Sequence, residues 1–136
     1  MAMQNQTQDK TTAQPSPTLN LSSIMIGTDQ QKVLAEFYEK VLGRPADMTE
    51  GGMAGWQVGN CFLNVMEHSE VHGQAKEPAR IILNLETKGV QAEFERLKQM
   101  QITVIKEPYE ISEGVWIATL ADPDGNLIQL MTPWEM

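Results

Sequence analysis

A weak internal repeat is the sequence feature that most restricts the possible folds of this chain. The tripeptide Ala-Glu-Phe occurs at residues 35–37 and again at 92–94, each time inside a segment whose apolar residues recur at helical spacing. The same displacement of 57 residues superposes two apolar runs, SIMIG at 23–27 and RIILN at 80–84. Internal repeats of this length indicate a duplicated structural unit. We therefore predict two copies of one module.

The order of elements within each copy follows from apolar spacing and turn residues. Helices are predicted at 31–42, where Gly43 provides a stop signal, and at 88–99. Eight extended runs are predicted, at 20–27, 46–49, 55–58, 61–66, 80–85, 102–106, 115–120 and 126–131. The order β-α-β-β-β, found twice, predicts an α+β domain. Its strands should form a curved, mixed, eight-stranded sheet, an open cup with the two helices packed on its outer face.

A short tail is expected before this domain. Residues 1–19 are rich in Gln and Thr and lack aromatic residues and apolar periodicity, so we expect them to be disordered. The domain is then expected over residues 20–136, with modules at about 20–73 and 79–136.

The charge balance limits the classes of partner. The chain has 10 Lys and Arg against 18 Asp and Glu, a net charge of -8, whereas binding to nucleic acids or anionic membranes needs a basic surface. No apolar run approaches the ~20 residues of a membrane span. The lone cysteine, Cys61, excludes an internal disulfide and fits a reducing compartment. We therefore expect a cytoplasmic protein that binds a small molecule and has neither a nucleic-acid nor a membrane partner.

The predicted strands have two unlike faces, because successive side chains point to opposite sides of a sheet. One face is wholly apolar, as at Leu63 and Val65, and suits packing against the helices. The other face would line the cup, and it mixes Met, Phe and Leu with single polar residues. The predicted ligand-binding residues are Ser23, Met25, Trp56, Phe62, Asn64, Met66, Arg80, Trp116, Gln129 and Met131. No catalytic residue is predicted, since the sequence has neither a Ser-His-Asp set nor a nucleophile elbow.

Two motifs carry a resemblance to a known family. The first is AEFYEKVLG at 35–43, and the second is LADPDGNLIQLM at 120–131, in which a Pro-Asp-Gly turn joins two apolar runs into a hairpin. With the duplicated module, these motifs resemble the vicinal oxygen chelate superfamily, which includes glyoxalase I, extradiol dioxygenases and bleomycin-resistance proteins. The resemblance covers roughly residues 20–133.

The resemblance implies where a divalent metal would be held in a family enzyme. Those positions fall on Ser23, Asn64, Arg80 and Gln129, where the family often has His at the first and Glu at the last. Hydroxyl, amide and guanidinium groups are poor ligands for a catalytic divalent ion, which prefers imidazole and carboxylate groups. We therefore expect no metal and no other cofactor.

Each polar candidate also has a plain structural interpretation. Gln129 is either a ligand contact or a hydrogen-bond partner of a neighbouring strand. Arg80 is either an anchor for an anionic ligand or part of a salt bridge at the rim. His68 and His72 are four residues apart and are the weak alternative for a metal site, together with Glu67 and Glu70, but their polar surroundings favour a solvated loop.

The apolar candidates can be interpreted in two ways as well. Trp56 and Trp116 either fill the core or stack on a flat ligand. The methionines predicted for the cup, Met25, Met66 and Met131, either fill space or line a pocket that accepts varied apolar ligands. Cys61 belongs to the helix-facing set and is interpreted as an inert core thiol.

Three functions remain open from the sequence. The favoured one is a metal-free binding protein that holds an amphipathic molecule in its cup. The second is a metal-dependent lyase or dioxygenase with atypical ligands, and the third is an interaction subunit whose cup is filled by its own side chains. We further expect a homodimer, because an isolated chain would expose the apolar floor of the cup.

Overall fold

The computed structural model describes residues 16–134, so the predicted tail lies outside the described residues up to residue 15. Helix α1 spans Gln31–Leu42, as predicted, and helix α2 spans Val90–Gln99. The eight strands are β1 Ser23–Thr28, β2 Met48–Glu50, β3 Met53–Val58, β4 Cys61–Glu67, β5 Leu83–Glu86, β6 Thr103–Ser112, β7 Val115–Ala121 and β8 Leu127–Met131. Within the described part of the chain, neither helix is long and apolar enough to cross a bilayer.

The predicted β-α-β-β-β modules are confirmed. In the first module the strand order is β1-β4-β3-β2, and in the second it is β5-β8-β7-β6. In each module the first strand pairs in parallel with the last, and the remaining neighbours are antiparallel. Hydrogen bonding thus divides the eight strands into two four-stranded mixed sheets, one for each module.

One hydrophobic core joins the two modules. The helices contribute seven buried residues, Leu34, Phe37, Tyr38, Val41, Val90, Phe94 and Leu97. These residues cluster with alternate side chains from both sheets, for example Leu63 and Val65 from β4 and Ile128 and Leu130 from β8. Burial of one large aliphatic or aromatic side chain contributes about 1.5–3 kcal/mol. The shared core therefore holds both helices on one side of the two sheets.

Hydrogen bonds between the modules fix their relative position. The Tyr38 hydroxyl on α1 donates to Asp122 Oδ2, at 2.8 Å, in the turn between β7 and β8. Burial, followed by the charge of the Asp122 carboxylate, raises the pKa of Tyr38 well above its ordinary value. Arg96 on α2 donates to the carbonyl oxygens of Lys40 and Val41, at 2.9 and 2.7 Å, which lie in the last turn of α1. Since helix ends leave carbonyl groups unpaired, this guanidinium joins α2 to the end of α1.

The predicted strand at 80–85 begins three residues late, so the placement of Arg80 in the cup was wrong. Arg80 ends a short 3-10 helix that starts at Pro78, and its exposed guanidinium pairs with Glu77 at 3.0 Å. The rim salt bridge is therefore the correct interpretation of Arg80. The error comes from the assumed displacement between the two modules. Thr28 and Thr87 accept equivalent hydrogen bonds from the residues that precede the two helices, so they are equivalent positions. They are 59 positions apart, whereas the prediction assumed 57.

Candidate functional site

The sheet surface opposite the helices is the candidate site, and we call it the open face. Its residues alternate with core residues along each strand and lie outside the core cluster. Strand register places the following side chains on it: Ser23, Met25, Gly55, Phe62, Asn64, Met66, Asn84, Lys106, Thr119, Gln129 and Met131. Seven of the ten predicted ligand-binding residues are in this set. The structure therefore places Met25, Met66, Phe62 and Asn64 on the helix-free side of the first sheet, and Gln129 and Met131 on that of the second.

The two modules approach each other near β1, β4 and β5. A cavity of about 170 Å³ lies between β1, β4 and β5 and is lined by residues of both modules, including Ile24, Leu63 and Asn84. In the first module, Asn64 on β4 is next to Met25 on β1. In the second module, Gln129 on β8 is next to Asn84 on β5. Asn64 and Gln129 thus occupy equivalent places in the two modules.

Asn64 is the most unusual polar group of the open face. Its Oδ1 atom is buried and accepts no hydrogen bond from the described residues. A buried acceptor without a partner costs about 1–3 kcal/mol. A ligand that donates a hydrogen bond to this oxygen would recover that energy. Its neighbour Met25 is 48% exposed and offers an apolar surface beside it.

Gln129 forms a hydrogen bond with a neighbouring strand, which is the structural one of its two interpretations. Its Nε2 atom donates to Thr119 Oγ1 on the adjacent strand β7, at 3.2 Å. Thr119 and Met131 are both buried, although they lie outside the core cluster. The centre of the second sheet is therefore closely packed on its open face, and Gln129 links two of its strands.

Phe62 covers the middle of the first sheet. A Cβ atom built on Gly55 would lie 2.2 Å from Cζ of the Phe62 ring. The ring therefore rests directly on the backbone of β3, at a position where only glycine leaves room. Phe62 is partly buried, so one side of the ring remains accessible.

The predicted tryptophans do not belong to the open face, and for Trp56 the core-filling interpretation is correct. Trp56 is opposite Leu63 in the register, is 1% exposed and belongs to the core, and its Nε1 donates to the Arg44 carbonyl at 2.9 Å. Trp116 is partly buried against the same core. Alternation could have shown this from the sequence, because Trp56 has the same parity as Val58 on a strand whose other side carries Gly55.

The histidine pair does not form a metal centre in this conformation. His68 Nδ1 accepts a hydrogen bond from the backbone N–H of Glu70 at 3.1 Å, within a loop. Across residues 16–134 there is no group of three or more His, Cys, Asp or Glu side chains arranged to hold a metal ion. His68 does lie against the end of the open face, because its Cβ atom is 3.1 Å from a Cβ built on Gly27.

The residues at the metal positions of the family do not fit a divalent ion. Three of them are Ser23, Asn64 and Gln129. The fourth is Ile82, not Arg80, because a displacement of 59 residues between the modules makes Ile82 the equivalent of Ser23. Hydroxyl, amide and aliphatic groups carry no charge to balance a divalent cation. The amide of Gln129 is also bound to Thr119. Ser23, Asn64 and Gln129 therefore offer neutral polar contacts.

Lys106 and Tyr109 also lie on the open face, although neither was among the predicted ligand-binding residues. The predicted strand ended at residue 106, whereas β6 continues to Ser112 and contains three register shifts that change which side chains face which way. In the described chain Lys106 is the only Lys or Arg that lies in a strand, which the sequence did not reveal because the predicted strand at 80–85 also contained Arg80.

Two β-α-β-β-β modules around one shared core define a class of α+β proteins, and comparison with known proteins identifies the family. Residues 20–130 match the model of the glyoxalase/bleomycin resistance protein/dioxygenase superfamily. The chain belongs to this superfamily, as the sequence motifs predicted. No curated protein sequence matches the chain at a significant level.

Solved structures agree on the fold. A glyoxalase/bleomycin resistance protein/dioxygenase family enzyme from Burkholderia phytofirmans PsJN is 23% identical, with a TM-score of 0.67, and the match covers 84% of this chain and 98% of that one. A glyoxalase/bleomycin resistance protein from Albidiferax ferrireducens T118 is 18% identical, with a TM-score of 0.66 and coverages of 82% and 98%. Lactoylglutathione lyase from Agrobacterium tumefaciens is 16% identical, with a TM-score of 0.63 and coverages of 86% and 95%.

Proposed function

We propose that this protein binds a small amphipathic molecule on the open face without a divalent metal. The observation that carries the proposal is the Asn64 Oδ1 atom, which is buried without a partner at a position where the family enzymes hold a metal. Native structures contain few such groups, and each asks for an explanation. A hydrogen-bond donor on a ligand is the simplest partner for a neutral amide oxygen.

The surroundings of Asn64 suit the apolar part of such a ligand. Met25 and Met66 lie on adjacent strands next to it, and Phe62 is close by on the same strand. Methionine side chains adapt their shape to different apolar partners. Small-molecule sites are commonly apolar with a few polar groups that fix orientation, which describes this part of the open face.

A second candidate is favoured by one observation. The Phe62 ring rests on Gly55 and covers part of the first sheet, as expected for an interaction subunit whose face is filled by its own side chains. That function predicts that no small apolar molecule binds to the open face.

A fluorescent apolar probe separates the two candidates. N-phenylnaphthylamine is neutral and becomes fluorescent in apolar sites, and we expect saturable binding to the wild-type protein. Met25→Asp places a charge on the open face and should abolish this binding. Val33→Asp is the matched control, because Val33 is 47% exposed, close to the 48% of Met25, but lies on α1. Equal binding by both variants, or no binding to the wild type, would contradict the proposal.

The metal-dependent lyase or dioxygenase alternative is tested on the same protein preparation. Protein purified without a metal-affinity tag should contain far less than one equivalent of iron, zinc, nickel or manganese. A stoichiometric content of any of these would replace the binding-protein proposal with the enzyme alternative.

The expected homodimer and cytoplasmic location stay predictions. Light scattering at micromolar concentration tests the first of them, and we expect the mass of two chains. A mass corresponding to the 15.2 kDa chain would contradict it.

A further inference from the structure

The hydrogen-bond acceptor on which the proposed site depends is closed off from solvent. The Asn64 Oδ1 atom is buried and has no partner among the described residues, although Asn64 as a whole is only partly buried. A ligand cannot donate a hydrogen bond to an oxygen that it cannot reach. A group that now covers this oxygen must therefore move before a ligand binds, and the strand register shows where that group lies.

The Phe62 ring is the group that lies nearest to the Asn64 amide on the side of β3. The residue paired with Asn64 on β3 is Gly55, which has no side chain of its own. The space above Gly55 is taken by the tip of the Phe62 ring, so that an added Cβ atom there would overlap the ring. Since the Cβ positions of paired residues are about 4.5–5.5 Å apart, the tip of the ring lies beside the Asn64 side chain and covers it.

The neighbour on the other side of Asn64 is more open. Met25 pairs with Asn64 on β1, and its side chain is 48% exposed. A flexible thioether side chain that is half in solvent is a poor permanent cover. The closure of the oxygen therefore depends mainly on the position of the Phe62 ring.

The Phe62 ring is held less firmly than the aromatic residues of the core. Phe62 is partly buried and lies outside the core cluster, which contains Trp56 and Phe94. Rotation about its side-chain bonds between staggered positions would carry the ring towards solvent. Its departure would uncover the flat backbone at Gly55, with Asn64 Oδ1 at one edge and Met48, which pairs with Gly55 on β2, at the other.

We infer that Phe62 closes the site in the free protein, and that the ligand is a flat aromatic molecule whose ring takes the place of the Phe62 ring on Gly55. The ligand has an N–H or O–H donor at its edge, which binds Asn64 Oδ1. The inference rests on the proposed function and adds the ligand class and the residue that controls access. The ligand displaces Phe62 because both rings can lie on Gly55 but only the ligand supplies a donor, and a ligand shifts an equilibrium only through such a difference.

Two probes of the same shape that differ in one donor test the ligand class. Indole has an N–H group at the place where benzofuran has an oxygen atom. In calorimetric titration, indole should bind to the wild type about fivefold more tightly than benzofuran, the ratio expected for one neutral hydrogen bond. Asn64→Leu should remove this preference. Asn60→Leu is the matched control, because Asn60 is exposed in the turn between β3 and β4, and it should keep the preference.

Nuclear magnetic resonance of the wild type tests the displacement itself. The free protein should show a nuclear Overhauser effect between the Phe62 ring protons and the α-protons of Gly55, and saturation with indole should abolish it. Phe62→Ala should bind indole several-fold more tightly than the wild type, because no closed state competes with the ligand. This variant should still prefer indole to benzofuran.

The contrary results separate the inference from the proposed function. If indole binds while the contact between Phe62 and Gly55 persists, or if the preference for indole survives in Asn64→Leu, the inference is wrong, although saturable binding of N-phenylnaphthylamine still supports the proposed function. Equal binding of indole and benzofuran by Phe62→Ala would show only that an apolar cavity is filled, and this also overturns the inference. If neither N-phenylnaphthylamine nor indole binds to the wild type, the proposed function fails, and the inference fails with it.

Discussion

Replacing Gly55 with Ala should destabilise the protein, and the same change should stabilise it once Phe62 has been removed. A Cβ atom at Gly55 would lie 2.2 and 2.5 Å from two atoms of the Phe62 ring. Carbon atoms do not approach each other this closely, so the ring must leave its position. Gly55 is not among the glycines with positive φ, so alanine adds no backbone strain of its own. The contact with Phe62 is therefore the only unfavourable effect of the substitution.

Two opposing contributions determine the magnitude. Inserting a methyl group against a packed ring costs about 1–3 kcal/mol. Alanine in place of glycine within a strand recovers roughly 0.5–1 kcal/mol, because glycine loses more conformational freedom on folding. Gly55→Ala should thus lower the free energy of unfolding by about 0–2.5 kcal/mol in the wild-type background. In the Phe62→Ala background it should raise that free energy by roughly 0.5–1 kcal/mol.

Urea denaturation of the wild type, both single variants and the double variant measures this directly. The coupling energy between the two positions should be about 1–3 kcal/mol, equal to the overpacking cost alone. The slope of the free energy against urea should be the same in all four proteins, which shows that the unfolded states are comparable. A Gly55→Ala variant that is more stable than the wild type would refute the reasoning, because the ring would then not lie on the strand.

Three further predictions concern the contacts that hold the modules together and the residue that the structure removed from the site. Tyr38→Phe leaves the buried Asp122 with one donor fewer and should cost about 1.5–3 kcal/mol in urea denaturation. Because burial and Asp122 raise the pKa of Tyr38, the wild type should keep this stability below pH 10.0 and lose it as the pH rises further, and the variant should lack that alkaline loss. Arg96→Met removes the donors to two carbonyl groups at the end of α1 and should lower the free energy of unfolding by about 1–3 kcal/mol, measured in the same way; a change below 0.5 kcal/mol would show that water replaces the guanidinium. Arg80→Met breaks only an exposed ion pair, so calorimetry and probe titration should show a stability change below about 0.5 kcal/mol and unaltered affinity for N-phenylnaphthylamine.

The order of elements could be predicted because it depends on local patterns. Helix α1 was located to the residue, since its apolar spacing and the glycine that follows it are both strong signals. The alternation in β4 and β8 likewise assigned Asn64 and Gln129 to the open face. These inferences use only residues that are close together in the sequence.

The errors arose where the repeat was treated as exact. The first residues of the helices, Gln31 and Val90, are 59 positions apart, like the strands before them, whereas Phe37 and Phe94 are only 57 apart because they are the seventh residue of α1 and the fifth of α2. Aligning the strands by the Ala-Glu-Phe motif therefore put Arg80 at the place that Ile82 occupies. Lys106 was missed for a related reason, because the register shifts in β6 depend on its pairing with β7 and leave no local pattern.

Methionine methyl signals in a nuclear magnetic resonance spectrum test the central claim most directly. With carbon-13 labelled methyl groups, N-phenylnaphthylamine should shift the signals of Met25 and Met66, which lie beside Asn64, and leave that of Met100, near the end of α2, unchanged. Addition of one equivalent of Mn²⁺, which broadens nearby signals, should affect neither Met25 nor Met66 selectively. Selective broadening of the open-face methionines by Mn²⁺, or probe shifts confined to Met100, would contradict a metal-free binding site on the open face.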